Sequence, residues 1–345
     1  MGDQGLISTG GNPASPPYRN GPYRWDQHVT FSQGASFGNG EGDVWFVDGT
    51  NGVSGNNGKG FSTAVNTIQA AVTLAGPGDT IYVTAKDLTD FTGDPTSYAE
   101  TIIIPAATSN LSIIGVSRGR TQGGLPQIKI GAGSTALLTI RAPGCLIANM
   151  GFNGAGSTGG GILLDDDYAT KSAFGTSIIG CHLKNCKTDS TDGTTGGAIM
   201  WSAAGNAWQV LISGNKFYRC LTDICLIGTS NTVPQDVTIE NNEFSNSPAD
   251  TDVNIYSGGS GFGGGLMIRN NVFGAVPAIG SGSVALYTSL NLGGTSPAGS
   301  FTDNVFGAAG TTTGYGDGKV SADIADDIWM CRNYSAAGLI VREAT

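Results

Sequence analysis

Charge is scarce in this sequence, and histidine is scarcer. Charged residues make up 13% of the 345, with 17 Lys and Arg against 27 Asp and Glu and a formal net charge of -10. Binding nucleic acid through its phosphates needs clustered Lys and Arg, so that class is excluded. The two histidines, His28 and His182, lie too far apart in the chain to anchor a Ser-His-Asp or Cys-His arrangement. His182 is expected to project outward from a strand. No apolar run approaches the length of a membrane span, which argues against membrane insertion. The start, Met1-Gly-Asp-Gln-Gly5, lacks the basic and apolar regions of a secretion signal, so the expectation is a chain finished in the cytoplasm. The six cysteines show no Cys-x-x-Cys spacing and no neighbouring histidine ligand set, which excludes a zinc site. They sit mostly in apolar runs and read as reduced, buried small hydrophobes.

What is abundant is glycine, with 56 residues, yet hydrophobic content is 39%, too high for a disordered chain. Glycine here supplies turns. The turns punctuate a phrase written four times: Val210-Leu-Ile212-Ser-Gly-Asn215-Lys-Phe217, Val237-Thr-Ile239-Glu-Asn-Asn242-Glu-Phe244, Leu266-Met-Ile268-Arg-Asn-Asn271-Val-Phe273 and a degraded Ser300-Phe301-Thr-Asp-Asn304-Val-Phe306. The aromatics recur after 27, 29 and 33 residues. A variable repeat of this length marks a solenoid, and its Gly/Ser/Thr/Asn spacers around short β-branched runs rule out helical repeats. Alternation places Val237 and Ile239 inside, with Thr238 and Glu240 outside. Asn215, Asn242, Asn271 and Asn304 fall where the chain turns; they are expected to adopt the left-handed conformation and to form a ladder beside stacked Phe217, Phe244, Phe273 and Phe306. The register continues to Phe152 and Leu183 upstream and Tyr334 downstream. A second strand per coil is expected at 161–164, 198–200, 224–226, 253–255 and 284–286.

This pattern resembles the right-handed single-stranded parallel β-helix of the pectate-lyase-like superfamily, an all-β fold, over roughly residues 43 to 341. Val44-Trp-Phe46-Val47-Asp48-Gly49, a Gly-Asn spacer, Phe61 to Val72 and Gly76-Pro-Gly-Asp79-Thr-Ile81-Tyr-Val83 resemble the entry of such domains. The resemblance implies an N-terminal capping helix near 62–75, for which Ser62 is the expected N-cap and Gly76-Pro77 the stop. The domain organisation is then an arm, 1–42, followed by the β-helix, 43–345. The arm alternates Pro and Gly with Tyr18, Tyr23, Trp25, Phe31 and Phe37 and has no strand or helix period. Exposed aromatics are costly, so the arm is expected to dock on its own solenoid, a neighbouring subunit or a larger assembly.

Pectate-lyase-like enzymes hold Ca²⁺ with acids and use a basic residue to remove a proton, and hydrolases on this fold use Asp pairs. The richest acidic stretch is Asp165-Asp166-Asp167, with Asp189, Asp192 and Asp223 on neighbouring coils. These read first as turn acids, with a bound Ca²⁺ or a carboxylate pair as alternatives, and no catalytic residue is assigned. Trp201, Trp208 and Tyr218 are candidates for a sugar-stacking or inter-subunit patch, against local packing as the plainer reading. The glycine run ending at Gly265 is a long turn and carries no nucleotide-binding context.

Within the superfamily, the resemblance is strongest to β-helix proteins of bacteriophage particles: capsid decorations, knobs and tail spikes. It implies a structural virion protein assembled in the host cytoplasm, docked to other virion proteins through its arm. A homo-oligomer, with a trimer favoured, and carbohydrate binding follow from the same resemblance, with no cofactor required. The alternative is a polysaccharide lyase or glycoside hydrolase of the pectate-lyase-like fold.

Overall fold

The computed structural model describes residues 42–86, 96–116, 124–129, 136–154, 160–165, 172–186, 197–202, 207–220, 222–228, 234–245, 253–259, 264–273, 290–291, 299–306, 328–335 and 338–340. All belong to one unit, Gly34–Thr345. The arm aromatics Tyr18, Tyr23, Trp25, Phe31 and Phe37 lie outside these residues, as do Asp166, Asp167, Asp189, Asp192 and the expected strand at 284–286.

The fold is a right-handed parallel β-helix. Its coils contribute to three sheets. Sheet A runs from Val44–Val47 through Thr80–Val83, Ser112–Gly115, Leu146–Ala148, Ser177–Ile179 and Leu211–Ser213 to Thr238–Glu240, Leu266–Arg269, Gly299–Thr302 and Ile328–Cys331. Sheet B begins at Gln127–Ile128 and includes Gly151–Asn153, His182–Lys184, Lys216–Tyr218 and Glu243–Ser245; sheet C includes Ile162–Leu164, Ile199–Trp201, Thr222–Gly228 and Val253–Gly259. Pairing is parallel except where Gly338–Ile340 turns back antiparallel on Asn333–Ser335. The repeated phrase is therefore two strands and not one. Val-x-Ile lies in sheet A, Asn turns the corner, and x-Phe-x opens sheet B, so each coil carries three strands where two were expected.

Register makes the core a set of columns. Ile81, Ile113, Ile147, Ile178, Ile212, Ile239 and Ile268 align one above the other in sheet A, all buried. Each contributes about 2 kcal/mol of apolar burial. In sheet B, Phe217 stacks on Phe244 at 4.9 Å and Phe244 on Phe273 at 4.8 Å, with interplanar angles of 8° and 6°. Those spacings match the distance between paired strands. Phe273 next meets Phe301 of sheet A, tilted by 37° at 6.2 Å.

The Asn ladder is present and runs one step further than Asn304, to Asn333. Its turn chemistry differs from expectation. The left-handed residue is the one before each ladder Asn: Gly214, Asn241, Asn270, Asp303 and Arg332, with φ of 66°, 56°, 55°, 58° and 50°. The ladder side chains point inward and use their amides to satisfy backbone groups the corner would leave unpaired.

At the N-terminal end, Phe61–Thr63 is a single 3₁₀ turn and the α-helix is Ile68–Leu74. Its N-cap is Thr67, whose Oγ1 accepts from Ala70 N–H at 3.2 Å, so Ser62 is not the cap. Glu100 adds a carboxylate to the same terminus, accepting from Ile68 and Gln69 N–H at 2.8 Å each. Gln69 Oε1 accepts from Ile103 N–H at 2.7 Å, standing in for a neighbouring strand at the edge of sheet C. The helix thus covers the start of the stack, burying Ile68, Ala71 and Val72. Asp79 pins the same end: its buried carboxylate accepts from Asp43 N–H, Trp45 Nε1–H and Gly76 N–H at 2.6, 2.7 and 2.7 Å. All six cysteines are free thiols, five of them buried and Cys331 half-buried. Among the described residues no helix is long and apolar enough to cross a membrane.

Candidate functional site

The outer face of sheet B carries a polar row. Gly151, His182, Lys216 and Glu243 align across four consecutive strands, and Asn153, Lys184 and Tyr218 form the row beside it. The residues between them, Phe152, Leu183, Phe217 and Phe244, point into the core, which fixes the outward direction of their neighbours. Lys216 Nζ meets Glu243 Oε1 at 2.9 Å, with both side chains partly open to solvent. Towards the N-terminal coils the row closes over. His182 is only 3% exposed, and Lys184 and Asn153 are buried with it.

His182 therefore departs from expectation. It points away from the core, as alternation predicts, but does not reach solvent. Burial, with Lys184 and Lys216 nearby, pushes its imidazole down to about 4 from 6.5, while Glu243 pulls the other way. It is a neutral donor and acceptor at physiological pH. At the edge of the row, Arg219 holds its guanidinium over the Tyr218 ring at 5.2 Å. Arg219 has φ of 53°, and Asn185, one coil earlier, has 51°, so the strand ends in the same left-handed turn in both coils. The row combines cations, a carboxylate acceptor, a neutral imidazole and an aromatic face, in a chain whose charge is otherwise acidic.

Of the acids singled out by sequence, Asp165 and Asp223 lie among the described residues, and these two do not come together. Asp165 Oδ2 is taken by Arg141 Nε at 3.0 Å, beyond the C-terminal end of Ile162–Leu164. Asp223 is buried near the start of Thr222–Gly228, where Asn254 Nδ2 donates to its Oδ2 at 2.6 Å. Leu164 aligns with Trp201 and Ile224 with Ile199, which sets the two acids about four residues, or roughly 13 Å, apart along the strand direction. Among the described residues no group of three or more His, Cys, Asp or Glu is arranged to hold a metal ion.

The aromatic trio is also dispersed. Trp201 is 1% exposed and donates from Nε1 to Ala207 O at 2.9 Å inside the core. Trp208 is exposed on the corner leading into sheet A, and Tyr218 is half-buried on sheet B. Sequence reasoning missed Lys216 and Glu243. Their signal was their phase: each follows the ladder Asn directly, as His182 follows Cys181, so all three share one column.

No protein-family model matches the sequence, and a search of the curated proteins finds no relative. Solved structures do match in fold. A lacto-N-biosidase from Eubacterium ramulus aligns with a TM-score of 0.55 and 11% identity, over 85% of this chain and 56% of its own. This chain thus spans little more than half the length of that enzyme. A pectate lyase aligns at a TM-score of 0.45 and 13% identity, over 85% of this chain and 74% of its own. A pectin methylesterase variant in complex with a hexasaccharide aligns at 0.40 and 11%, over 90% and 92%. At such identities the likeness is one of fold alone, and only the first reaches a TM-score that bears on it.

Proposed function

We propose that the protein is a carbohydrate-active β-helix, a polysaccharide lyase or glycoside hydrolase, that engages its glycan on the outer face of sheet B. The observation that carries this reading is the Lys216–Glu243 pair at 2.9 Å, in one row with His182 and beside Tyr218. A carboxylate accepts from sugar hydroxyls, an ammonium donates to hydroxyl or ring oxygens, and an aromatic face takes the C–H side of a pyranose. Glu243 is the proton acceptor the row presents to solvent; Lys216 and Arg219 are the cations that would offset charge developing on a leaving or abstracted centre, while buried His182 and Lys184 support the row from beneath. The fold likeness to a lacto-N-biosidase supports the class, while the chemistry is argued from the row itself.

The test is incubation with a panel of neutral and acidic polysaccharides, reading both new reducing ends and unsaturated products. Unsaturated ends assign a lyase, and reducing ends without unsaturation assign a hydrolase. Turnover should fall at least tenfold in Glu243→Gln and Lys216→Ala. A protein that neither binds nor cleaves any member of the panel would remove this reading.

A second reading is a structural protein exposed on a bacteriophage particle, docked through its arm and binding host glycans without turning them over. It is supported by the continuous strand pairing and buried Asn ladder, which suit a stack that must survive outside a cell. Mass spectrometry of purified particles tests it, and absence of the chain from them would exclude it.

A further inference from the structure

Sheet A turns a face of a different kind outward. Its first six strands, from Val44–Val47 to Leu211–Ser213, present no charged side chain outward. One outward row reads Phe46, Tyr82, Ile114, Ala148 and Ile179 in unbroken register. Phe61 folds over its end, its ring 4.6 Å from that of Phe46. Beside the third to sixth strands the corners are as neutral as the strands: the segments 110–116, 143–149, 174–180 and 208–214 contain no Asp, Glu, Lys or Arg. The first strand is flanked by Asp48 and by Asp43, which pairs with Lys59 at 2.8 Å, so charge bounds the face at that end. Their apolar side chains are open, with Ile179 37% exposed, Trp208 41% and Phe174 42%; Gly175 N–H donates to Trp208 O at 2.7 Å, which sets those two corners side by side.

We propose that this face of sheet A is where a second copy of the chain docks. The six strands span about 24 Å along the stack, and strand plus corners are roughly 20 Å across, giving a flat patch of about 500 Å² in projection. The patch is uncharged and mixed, with Thr80, Ser112 and Ser177 in its second outward row, and its apolar part can form the core of a standard interface of about 800 Å² per partner whose remainder is polar rim. Charge selects the partner. Two copies each carrying a formal charge of -10 repel, and this is a surface on which they can meet without placing like charges opposite each other. Periodicity selects it again. Ridges that recur at the coil spacing, 4.8–4.9 Å where the Phe rings report it, fit between the ridges of another stack with the same spacing. Further along the sheet, Glu240 and Arg269 neutralise one another at 2.8 Å and mark where the uncharged core of the contact ends. The contact leaves the polar row of sheet B free, and it stands or falls independently of what that row binds.

The test is light scattering and sedimentation of the full chain across the micromolar range, beside the double variant Ile179→Lys/Leu211→Lys and the single variant Ser177→Cys. Ser177 lies between Leu146 and Leu211 in the second outward row. The wild type should self-associate, and the double lysine variant should associate at least tenfold more weakly while keeping its circular dichroism and melting midpoint. Ser177→Cys, which changes the face least, should react with a thiol probe more slowly in the associated protein than in the dilute one. A monomeric wild type overturns the proposal, whether the face is covered by the chain's own arm or by nothing. Association that survives both lysines, or a Ser177→Cys thiol labelled equally fast in the dilute and the associated protein, overturns it as well.

Discussion

Asn215 gives two hydrogen bonds to one oxygen: Asn242 Oδ1 accepts from its backbone N–H at 2.9 Å and from its Nδ2 at 3.1 Å. The second Nδ2 hydrogen goes to Ile178 O at 2.9 Å, and Asn215 Oδ1 accepts from Cys181 N–H at 2.8 Å. The same pattern repeats from Asn242 to Asn271, Asn304 and Asn333. Every polar group of the side chain is therefore used in a buried site. Asn242→Ala leaves the Asn215 N–H, one Nδ2 hydrogen and the Ile212 carbonyl without their partner. The expected cost is about 3 kcal/mol or more, read as a lower urea midpoint at unchanged slope. Asn242→Asp should be nearly as damaging, since it keeps the acceptor but buries a charge and loses the donor.

Asp79 makes a parallel case at the N-terminal end. Its carboxylate joins the Gly76–Gly78 turn to the first strand through three N–H donors, including the Trp45 indole. Asp79→Ala is expected to cost about 3 kcal/mol and to open that end first. Hydrogen exchange should show lost protection at Asp43 to Val47 before any change around Asn242. Uniform loss along the chain would contradict this local role.

His182 links stability to pH with a definite sign. The unfolded chain binds a proton near pH 6.5, whereas the fold holds the imidazole neutral down to about pH 4. Between those values the unfolded state carries more protons, so stability falls as pH falls and recovers as pH rises, by at most about 3 kcal/mol. In His182→Gln this part of the slope should disappear. A parallel pH profile in wild type and variant would place the dependence elsewhere.

The thiols should divide by burial. Cys145 and Cys181 are pushed up to about 12 by burial, and Cys220 is raised for the same reason. Only Cys331 is half-buried. A thiol-disulfide probe at mildly alkaline pH should modify Cys331 in the native protein and the other five only on unfolding.

The sequence made the solenoid legible because a stack writes the same environment once per coil. The Ile column and the Asn ladder follow from counting, and the corner at each Asn was visible as a turn. The third strand was hidden, because the corner shifts the inward phase by only one residue, from Val237 and Ile239 to Asn242 and Phe244, and that shift reads as a turn closing a single strand. The site was less legible. Alternation gives the direction in which His182 points but not whether solvent reaches it. Asp165 and Asp223 looked like one cluster because sequence shows which coil a residue is on, not where along the sheet it falls. Lys216 and Glu243 were readable only in phase, as two residues in one column.

Binding of a polysaccharide panel to wild type and to Glu243→Gln/Lys216→Ala decides whether the Lys216–Glu243 pair holds a glycan. At least one glycan should bind the wild type, and the double variant, still folded by circular dichroism, should bind it at least tenfold more weakly. Equal binding by the two proteins, or no binding by either, would contradict it.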